Sequence, residues 1–137
     1  MSEASPVILD TDVWSKLFAA RRDVAPEVST WRQLLTGRPV LIAAQTRGEL
    51  EFGALKGGWG PDRVAAYRSI LDRYPVLCPT REIIVAWAEL RAECRQIGHS
   101  LHEKIHMGDA WVAATARALR IPLLSADGIY RDAPGVE

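Results

Sequence analysis

Short apolar runs alternate along this chain with longer segments in which apolar residues recur every three or four positions. The short runs predict strands at 6–10, 39–44, 75–78 and 121–124. The longer segments predict helices at 10–20, 26–35, 45–56, 61–73, 80–97 and 109–119. Strands that alternate with helices in this way form parallel sheets with helices on both faces. The pattern therefore predicts a three-layer α/β/α fold around a central parallel sheet.

Two of the predicted helices also indicate which residues face the core. In the helix at 80–97, which Thr80 would cap, the inward positions recur at spacings of three and four. They are Ile83, Trp87, Leu90, Cys94 and Ile97. In the helix at 26–35 the expected inward residues are Val28, Trp31, Leu34 and Leu35.

Length, composition and charge narrow the class of protein. The chain has 137 residues, which suits one domain spanning 1–137, and its 48% hydrophobic and 25% charged residues are ordinary for a globular protein. Its 17 basic and 17 acidic residues balance, which argues against a broad basic surface for nucleic acid. No apolar stretch approaches the roughly 20 residues of a membrane span, and residues 1–5 do not resemble a signal peptide. We therefore expect a cytoplasmic protein that does not contact a membrane.

Four acidic residues lie where this fold would direct side chains towards one end of its sheet. Asp10 ends the first predicted strand, Asp127 follows the last, and Glu49 and Asp109 lie on predicted helices. Carboxylates gathered at that end repel one another unless a cation neutralises them, and hard oxygen ligands suit Mg²⁺ or Mn²⁺. We expect Asp10 and Asp109 to be direct ligands and Glu49 to bind directly or through water. Asp127 would bind through water or help to hold a second ion.

Each of these acids also has an ordinary structural explanation. Asp10 is a typical helix N-cap, and Asp109 suits the first turn of a helix, where the helix dipole favours a negative charge. Asp127 before Gly128 is a typical turn signal. On the third helix Glu51, rather than Glu49, would be the ligand if Glu49 faced solvent. The coincidence of all four positions favours the metal site.

The local sequences around these acids resemble those of the PIN-domain ribonucleases. The matching motifs follow one another in order at 8–13, 48–54, 108–116 and 124–127. The chain length and the Glu-Leu-x-(Phe/Tyr)-Gly signature are similar to those of VapC-type toxins of type II toxin–antitoxin pairs. This chain departs from the family pattern at three positions. Asp12 stands where the family commonly has asparagine, and Ser125 stands where threonine is common. Tyr130 stands for the aromatic residue that in the family follows the fourth acid more closely.

The resemblance implies both an activity and partners. A VapC-type toxin is an endoribonuclease that depends on Mg²⁺ or Mn²⁺ and cleaves structured cellular RNA. It is typically a homodimer, and a small VapB-like antitoxin neutralises it. Residues beside the acids would then support the ligands or contact RNA. We expect Thr11, Asp12 and Ser125 to support the ligands, and Lys16, Arg47 and His106 to contact RNA.

Other interpretations remain open at this level. His99, His102 and His106 lie close together before Asp109 and are spaced as a zinc site could be, although the ordinary alternative is a polar loop. A receiver-like phosphoacceptor domain also ends its first strand with paired acids. A non-catalytic PIN-like module would bind RNA or protein without cleaving it. Small residues at Gly53 and Ala113 would let two helices approach the end of the sheet closely.

Overall fold

A four-stranded parallel sheet forms the centre of the computed structural model, which describes residues 5–18 and 26–137. The strands are β1 (Val7–Leu9), β2 (Val40–Ala43), β3 (Val76–Leu77) and β4 (Leu123–Leu124). They lie in the order β3-β2-β1-β4. Ile8 stands opposite Leu41 on one side and Leu123 on the other, so β1 is a central strand.

Within residues 5–18 and 26–137, six α-helices and three short 3₁₀ helices connect and cover the strands. The α-helices are α1 (Thr11–Phe18), α2 (Pro26–Leu35), α3 (Ala44–Lys56), α4 (Pro61–Leu71), α5 (Arg81–Ile97) and α6 (Met107–Leu119). The 3₁₀ helices are Ser100–His102, Lys104–His106 and Gly128–Tyr130. The predicted α/β class and the predicted parallel sheet are confirmed. The end of the first helix, expected at Ala20, lies outside the described residues.

Both faces of the sheet are buried. Side chains alternate along a strand, so Val7 and Leu9 face one side and Ile8 the other, and all three are buried. One hydrophobic cluster joins Val7 and Leu9 to buried residues of α1, α2, α3 and α4. A second cluster joins α5 and α6 to the chain near Ala133, and stacked rings of Trp87 and Trp111, 4.8 Å apart, link the same two helices. The helical layers therefore hold the strand ends in place from both sides.

Side-chain caps start two of the helices where the sequence predicts them. The Thr80 hydroxyl accepts a hydrogen bond from the backbone N–H of Ile83 at 3.3 Å. Asp10 Oδ1 accepts one from the backbone N–H of Val13 at 3.0 Å, so Asp10 is the cap of α1. At the other end of α5, Gly98 adopts a left-handed conformation with φ of 76°, which glycine reaches without strain.

Some boundaries and inward positions differ from the prediction. The helix α6 begins at Met107 rather than at Asp109, because the preceding segment winds into two 3₁₀ turns that lead into it. Ile97 is 64% exposed, since it is the last residue of α5 and lies beyond the neighbours that cover Leu90 and Cys94. Leu34 is 53% exposed, whereas Val28 and Trp31 of the same helix are buried. Among the described residues, no helix is long and apolar enough to cross a membrane.

The contrast between Leu90 and Ile97 predicts two different responses to truncation on one helix. Leu90→Ala is expected to lower the free energy of unfolding by about 2–5 kcal/mol, because Leu90 is fully buried and its removal leaves a cavity. Ile97→Ala, which removes a side chain of similar size, is expected to change it by no more than about 0.5 kcal/mol. Urea denaturation of both variants checks this. Equal losses would contradict the packing described for α5.

Candidate active site

Neighbouring parallel strands bring the four predicted acids to one cavity. Asp10 directly follows β1, Asp127 follows β4, and the backbone N–H of Asp10 donates to the carbonyl of Leu124 between them. The cavity has a volume of about 520 Å³. The residues that line it are Asp10, Thr11, Asp12, Lys16, Glu49, Asp109, Val112, Ala126, Asp127, Gly128 and Tyr130.

Asp10 is the most deeply buried of the acids, with a relative exposure of 6%. Its Oδ1 caps α1, and its Oδ2 accepts a hydrogen bond from the Ser125 hydroxyl. Burial raises the pKa of the Asp10 carboxyl, and the hydrogen bonds from Ser125 and Val13 oppose that rise. The charges of Asp12 and Asp127 raise the Asp10 pKa further. Asp10 is therefore a carboxylate whose ionised form is disfavoured by its surroundings.

Glu49 reaches the cavity from α3 and is held by two neighbours. The Thr11 hydroxyl donates to Glu49 Oε1 at 2.5 Å, and the Gln45 amide donates to Oε2 at 3.2 Å. Thr11 is the first residue of α1, so this contact joins the end of β1 to α3.

Of the two glutamates of α3, Glu49 lines the cavity and Glu51 does not. Glu51 accepts hydrogen bonds from Arg47 and from Arg68, the latter at 2.8 Å. These bonds, chiefly the one from Arg68, hold the pKa of Glu51 below its ordinary value. Arg47 also pairs with Asp72 at 2.9 Å. The structure thus places Arg47, one of the expected RNA contacts, in a separate ion-pair network.

Asp109 lies in the first turn of α6 and has a partner on each oxygen. The Tyr130 hydroxyl donates to Oδ1 at 3.2 Å, and His106 Nδ1 lies 3.3 Å from Oδ2. Burial and the charges of Asp109 and Asp10 raise the pKa of Tyr130 far above its ordinary range, so its hydroxyl stays protonated. His106, another expected RNA contact, is therefore beside an acid of the cavity.

The segment from Ser125 to Tyr130 connects three of the acids. The Ser125 hydroxyl, which bonds Asp10, also accepts the backbone N–H of Asp127 at 2.9 Å. Asp127 Oδ1 in turn accepts the backbone N–H of Ile129 at 3.0 Å and so caps the 3₁₀ helix that carries Tyr130. Asp127 is thus both a turn residue and part of the cavity wall.

Lys16 is a basic residue of the cavity wall. Its ammonium lies 3.3 Å from Asp12 and 3.8 Å from Glu27, and all three side chains are well exposed. Asp12, the departure from the family pattern, therefore orients a lysine at the cavity mouth.

Gly108 of α6, rather than Gly53, is the glycine whose missing side chain leaves room for residues of α3 at the site. A Cβ at Gly108 would lie 2.9 Å from Gln45 Nε2 and 3.3 Å from Glu49 Oε2. A Cβ at Gly53 would meet nothing within 4 Å, so the expectation that Gly53 brings α3 close to the sheet is wrong. Ala113 is buried against the second cluster.

The histidines before α6 form local hydrogen bonds. His99 Nδ1 accepts the backbone N–H of Leu101 at 3.2 Å, and its Nε2 lies 2.7 Å from the carbonyl of Arg131. His102 Nδ1 lies 2.6 Å from the carbonyl of His99. In the described parts of the chain no three histidine, cysteine or acidic side chains are grouped as they would be around a metal ion. The histidines thus fasten the loop, which is the ordinary alternative to a zinc site.

The acids of the cavity suit a divalent cation by chemistry, although their oxygens now bond to protein donors. All of them offer the hard oxygen ligands that Mg²⁺ and Mn²⁺ prefer, without a sulfur ligand. Burial, with a smaller contribution from the charges of Asp12 and Asp127, raises the pKa of Asp10, and a bound cation would favour its ionised form. Thr11, Ser125 and Tyr130 each donate a hydroxyl hydrogen bond to one oxygen of a carboxylate. An ionised carboxylate has about four lone-pair sites, so each of these acids keeps lone pairs for a metal ion.

Three contributors to the site were not predicted from the sequence. They are the Tyr130 hydroxyl, the Gln45 amide and the close approach at Gly108. Tyr130 was expected only as the aromatic residue that follows the fourth acid. The Gln45-x-x-x-Glu49 spacing, which places two side chains on one helix face, was the available signal for Gln45.

Known proteins resemble this chain in sequence and in fold. The family model described as PIN domain matches residues 7–136. Ribonuclease VapC4 of Mycobacterium tuberculosis is 31% identical over 100 residues, which are 70% of this chain and 72% of that protein. FitAcB from Neisseria gonorrhoeae has a TM-score of 0.75 at 23% identity, covering 95% of this chain and 94% of that one.

A second solved structure has a similar fold. VapBC-5 from Mycobacterium tuberculosis, described as a member of the VapBC family of toxin–antitoxin systems, has a TM-score of 0.65 at 26% identity. The match covers 98% of this chain and 96% of the VapBC-5 chain. Because the PIN model spans nearly all of the described fold and all four acids, the chain belongs to the PIN-domain family.

Proposed function

We propose that this chain is a metal-dependent endoribonuclease of the VapC kind, which hydrolyses phosphodiester bonds of structured cellular RNA. The observation that carries the proposal is the single cavity that Asp10, Glu49, Asp109 and Asp127 line together at the carboxyl ends of β1 and β4. A 31% identical relative named as a ribonuclease supports the activity. PIN-domain ribonucleases generally use a divalent metal ion, and we propose Mg²⁺ or Mn²⁺ here.

Each residue has a role that follows from its contacts. We assign Asp10 and Asp109 as direct metal ligands, Glu49 as a direct or water-mediated ligand, and Asp127 as the outermost acid. When bound, a divalent ion polarises the scissile phosphate and offsets its negative charge. Ser125 and Thr11 orient the carboxylates of Asp10 and Glu49 through their hydroxyls. Lys16, at the cavity mouth, would attract an RNA phosphate. His106, beside Asp109, would contact the same RNA molecule.

The proposed partners follow from the relatives. Several structures of similar fold are toxin–antitoxin complexes, among them a VapBC complex from Salmonella typhimurium described as bound to DNA. We propose that a VapB-like antitoxin restrains this chain, that residues 1–137 form one PIN domain, and that it acts as a homodimer in the cytoplasm, where its RNA substrate lies.

A second candidate is a non-catalytic PIN-like module that binds RNA or protein. The observation in its favour is that, over the described residues, the acids are not grouped as metal ligands and instead bond to hydroxyls. Metal-dependent cleavage distinguishes the two candidates.

Loss of either central acid is expected to abolish cleavage. Purified protein free of antitoxin, incubated with total RNA and Mn²⁺ or Mg²⁺, should cut RNA, and Asp10→Asn or Asp109→Asn should slow the cutting by about 100-fold or more, because each removes a charged ligand. Gel electrophoresis of the RNA over time measures the rate. Asp62→Asn, which neutralises an exposed acid in the first turn of α4, is the control and should cut like the parent.

Three outcomes are decisive for that experiment. Cleavage that persists in the Asp10 and Asp109 variants would refute the assigned site. Cleavage that is insensitive to a chelator would refute the metal. RNA binding without cleavage by the parent would favour the non-catalytic module.

The electrostatic cost of Asp10 predicts that its neutral variant is more stable without metal. In the folded chain the Asp10 pKa is raised, so the ionised carboxyl costs stability near neutral pH, and the cost vanishes below the ordinary pKa of 3.8. Asp10→Asn keeps an N-cap and removes the buried charge, so it should raise the unfolding midpoint in chelator.

Differential scanning calorimetry checks the stability of Asp10→Asn. The gap between variant and parent should narrow as the pH falls towards 4, and added Mg²⁺ or Mn²⁺ should stabilise the parent more than the variant. A variant less stable than the parent in chelator at pH 7 would contradict the assigned environment of Asp10.

Close approach at Gly108 predicts a loss of activity without a loss of fold. Gly108→Ala would force the Gln45 side chain, and with it Glu49, to move, which costs little stability because Gln45 is flexible. Cleavage should fall by about 10-fold, on the scale seen for groups that orient metal ligands. Gly53→Ala on α3, where a Cβ meets nothing, is the matched control and should leave the cleavage rate unchanged. Equal rates in the two variants would show that the Gln45–Glu49 arrangement is unimportant.

A further inference from the structure

Tyr130 lines the cavity, and its phenolic hydroxyl contacts an acid from another part of the chain. It ends the 3₁₀ helix Gly128–Tyr130, and its hydroxyl donates to Oδ1 of Asp109, 21 residues earlier. The acceptor is a carboxylate, which offers lone pairs and no proton when ionised. The phenol is therefore the donor in this bond.

The contact bears on the orientation of Asp109. The terminal torsion of an aspartate is broad, so an unrestrained carboxylate rotates over a wide range. Tyr130 holds one oxygen and His106 lies beside the other, and the two partners come from opposite directions along the chain. Asp109 is thereby confined to a narrow range of orientations beside Asp10 and Glu49.

The segment that carries Tyr130 is itself fixed to the site. Asp127 caps the 3₁₀ helix through Ile129, and the Ser125 hydroxyl links the backbone of Asp127 to Asp10. The backbone of the turn that carries Tyr130 is therefore tied to Asp10. A hydroxyl on so well anchored a turn is suited to positioning.

We propose that Tyr130 is a positioning residue for the metal site, whose hydroxyl holds the Asp109 carboxylate in the orientation needed to bind a divalent cation. This inference rests on the proposed metal-dependent activity. The ring of Tyr130 packs against the second hydrophobic cluster, so its packing and its hydroxyl are separable. Tyr130→Phe keeps the ring and removes only the hydroxyl.

The test measures Mn²⁺ binding to the whole protein without RNA, by isothermal titration calorimetry. Tyr130→Phe is expected to weaken Mn²⁺ binding by about 10-fold, on the scale of groups that orient metal ligands. Tyr74→Phe is the matched control: it removes a hydroxyl from a half-buried ring packed against Trp14 and Phe18, and it should bind Mn²⁺ like the parent. The double variant Tyr130→Phe with Asp109→Asn should bind no more weakly than Asp109→Asn alone, because the hydroxyl acts through Asp109.

Cleavage kinetics add a second measurement. In Tyr130→Phe the Mn²⁺ concentration for half-maximal rate should rise by about the same factor, excess Mn²⁺ should restore the rate, and the KM for RNA should stay unchanged. The Mn²⁺-induced rise in the unfolding midpoint of each variant reports binding by folded molecules alone, so a modest loss of stability does not obscure the result.

The outcomes separate this inference from the proposed function. If the parent binds Mn²⁺ and Tyr130→Phe binds it equally well, the positioning role is overturned and the metal site stands. If Tyr130→Phe raises the KM for RNA and excess Mn²⁺ does not restore the rate, Tyr130 contacts the substrate and the positioning role is again overturned. A parent that neither binds Mn²⁺ nor cleaves RNA overturns the proposed function, and the inference with it.

Discussion

The burial of a carboxylate among other acids at one end of the sheet is the constraint on which the site depends. Asp10 is almost fully buried, and both its desolvation and the nearby charges of Asp12 and Asp127 raise its pKa. A fold under selection for stability alone would replace Asp10 with a neutral cap, because asparagine caps a helix as well as aspartate does. A costly charge at the end of a central strand is therefore an argument for function.

The fold limits this cost by giving the same hydrogen bonds two purposes. Asp10 caps α1, and Asp127 caps the 3₁₀ helix that carries Tyr130, so each acid stabilises local structure while it lines the cavity. The ordinary structural explanations for Asp10, Asp109 and Asp127 thus hold together with their place in the site. A cap fixes the backbone from which a side chain projects. Asp10 and Asp127 are consequently held in place by the helices that they cap.

The sequence predicted the sheet, most helix bounds and the side chains around the cavity, because strand ends and caps are local signals. It predicted less where the outcome depends on packing between distant segments. Ile97 follows the apolar period of α5 but lies beyond the neighbours that would bury it, and Arg47 is drawn to Glu51 and Asp72 instead of the cavity. Gly108 and Tyr130 matter through contacts with residues far along the chain, which spacing along the sequence does not reveal.

The donors around the acids explain why the site still calls for a cation. Thr11, Ser125 and Tyr130 each bond one carboxylate through a hydroxyl, which is neutral and so orients an oxygen without cancelling its charge. Among the described residues that line the cavity, Lys16 is the basic one, and it lies beside the exposed Asp12 rather than the buried Asp10. The carboxylates of Glu49, Asp10 and Asp109 are therefore oriented by groups that carry no charge. A polar cavity built in this way favours a small divalent ion over a neutral ligand, because only a positive charge relieves the repulsion that the hydroxyls leave in place.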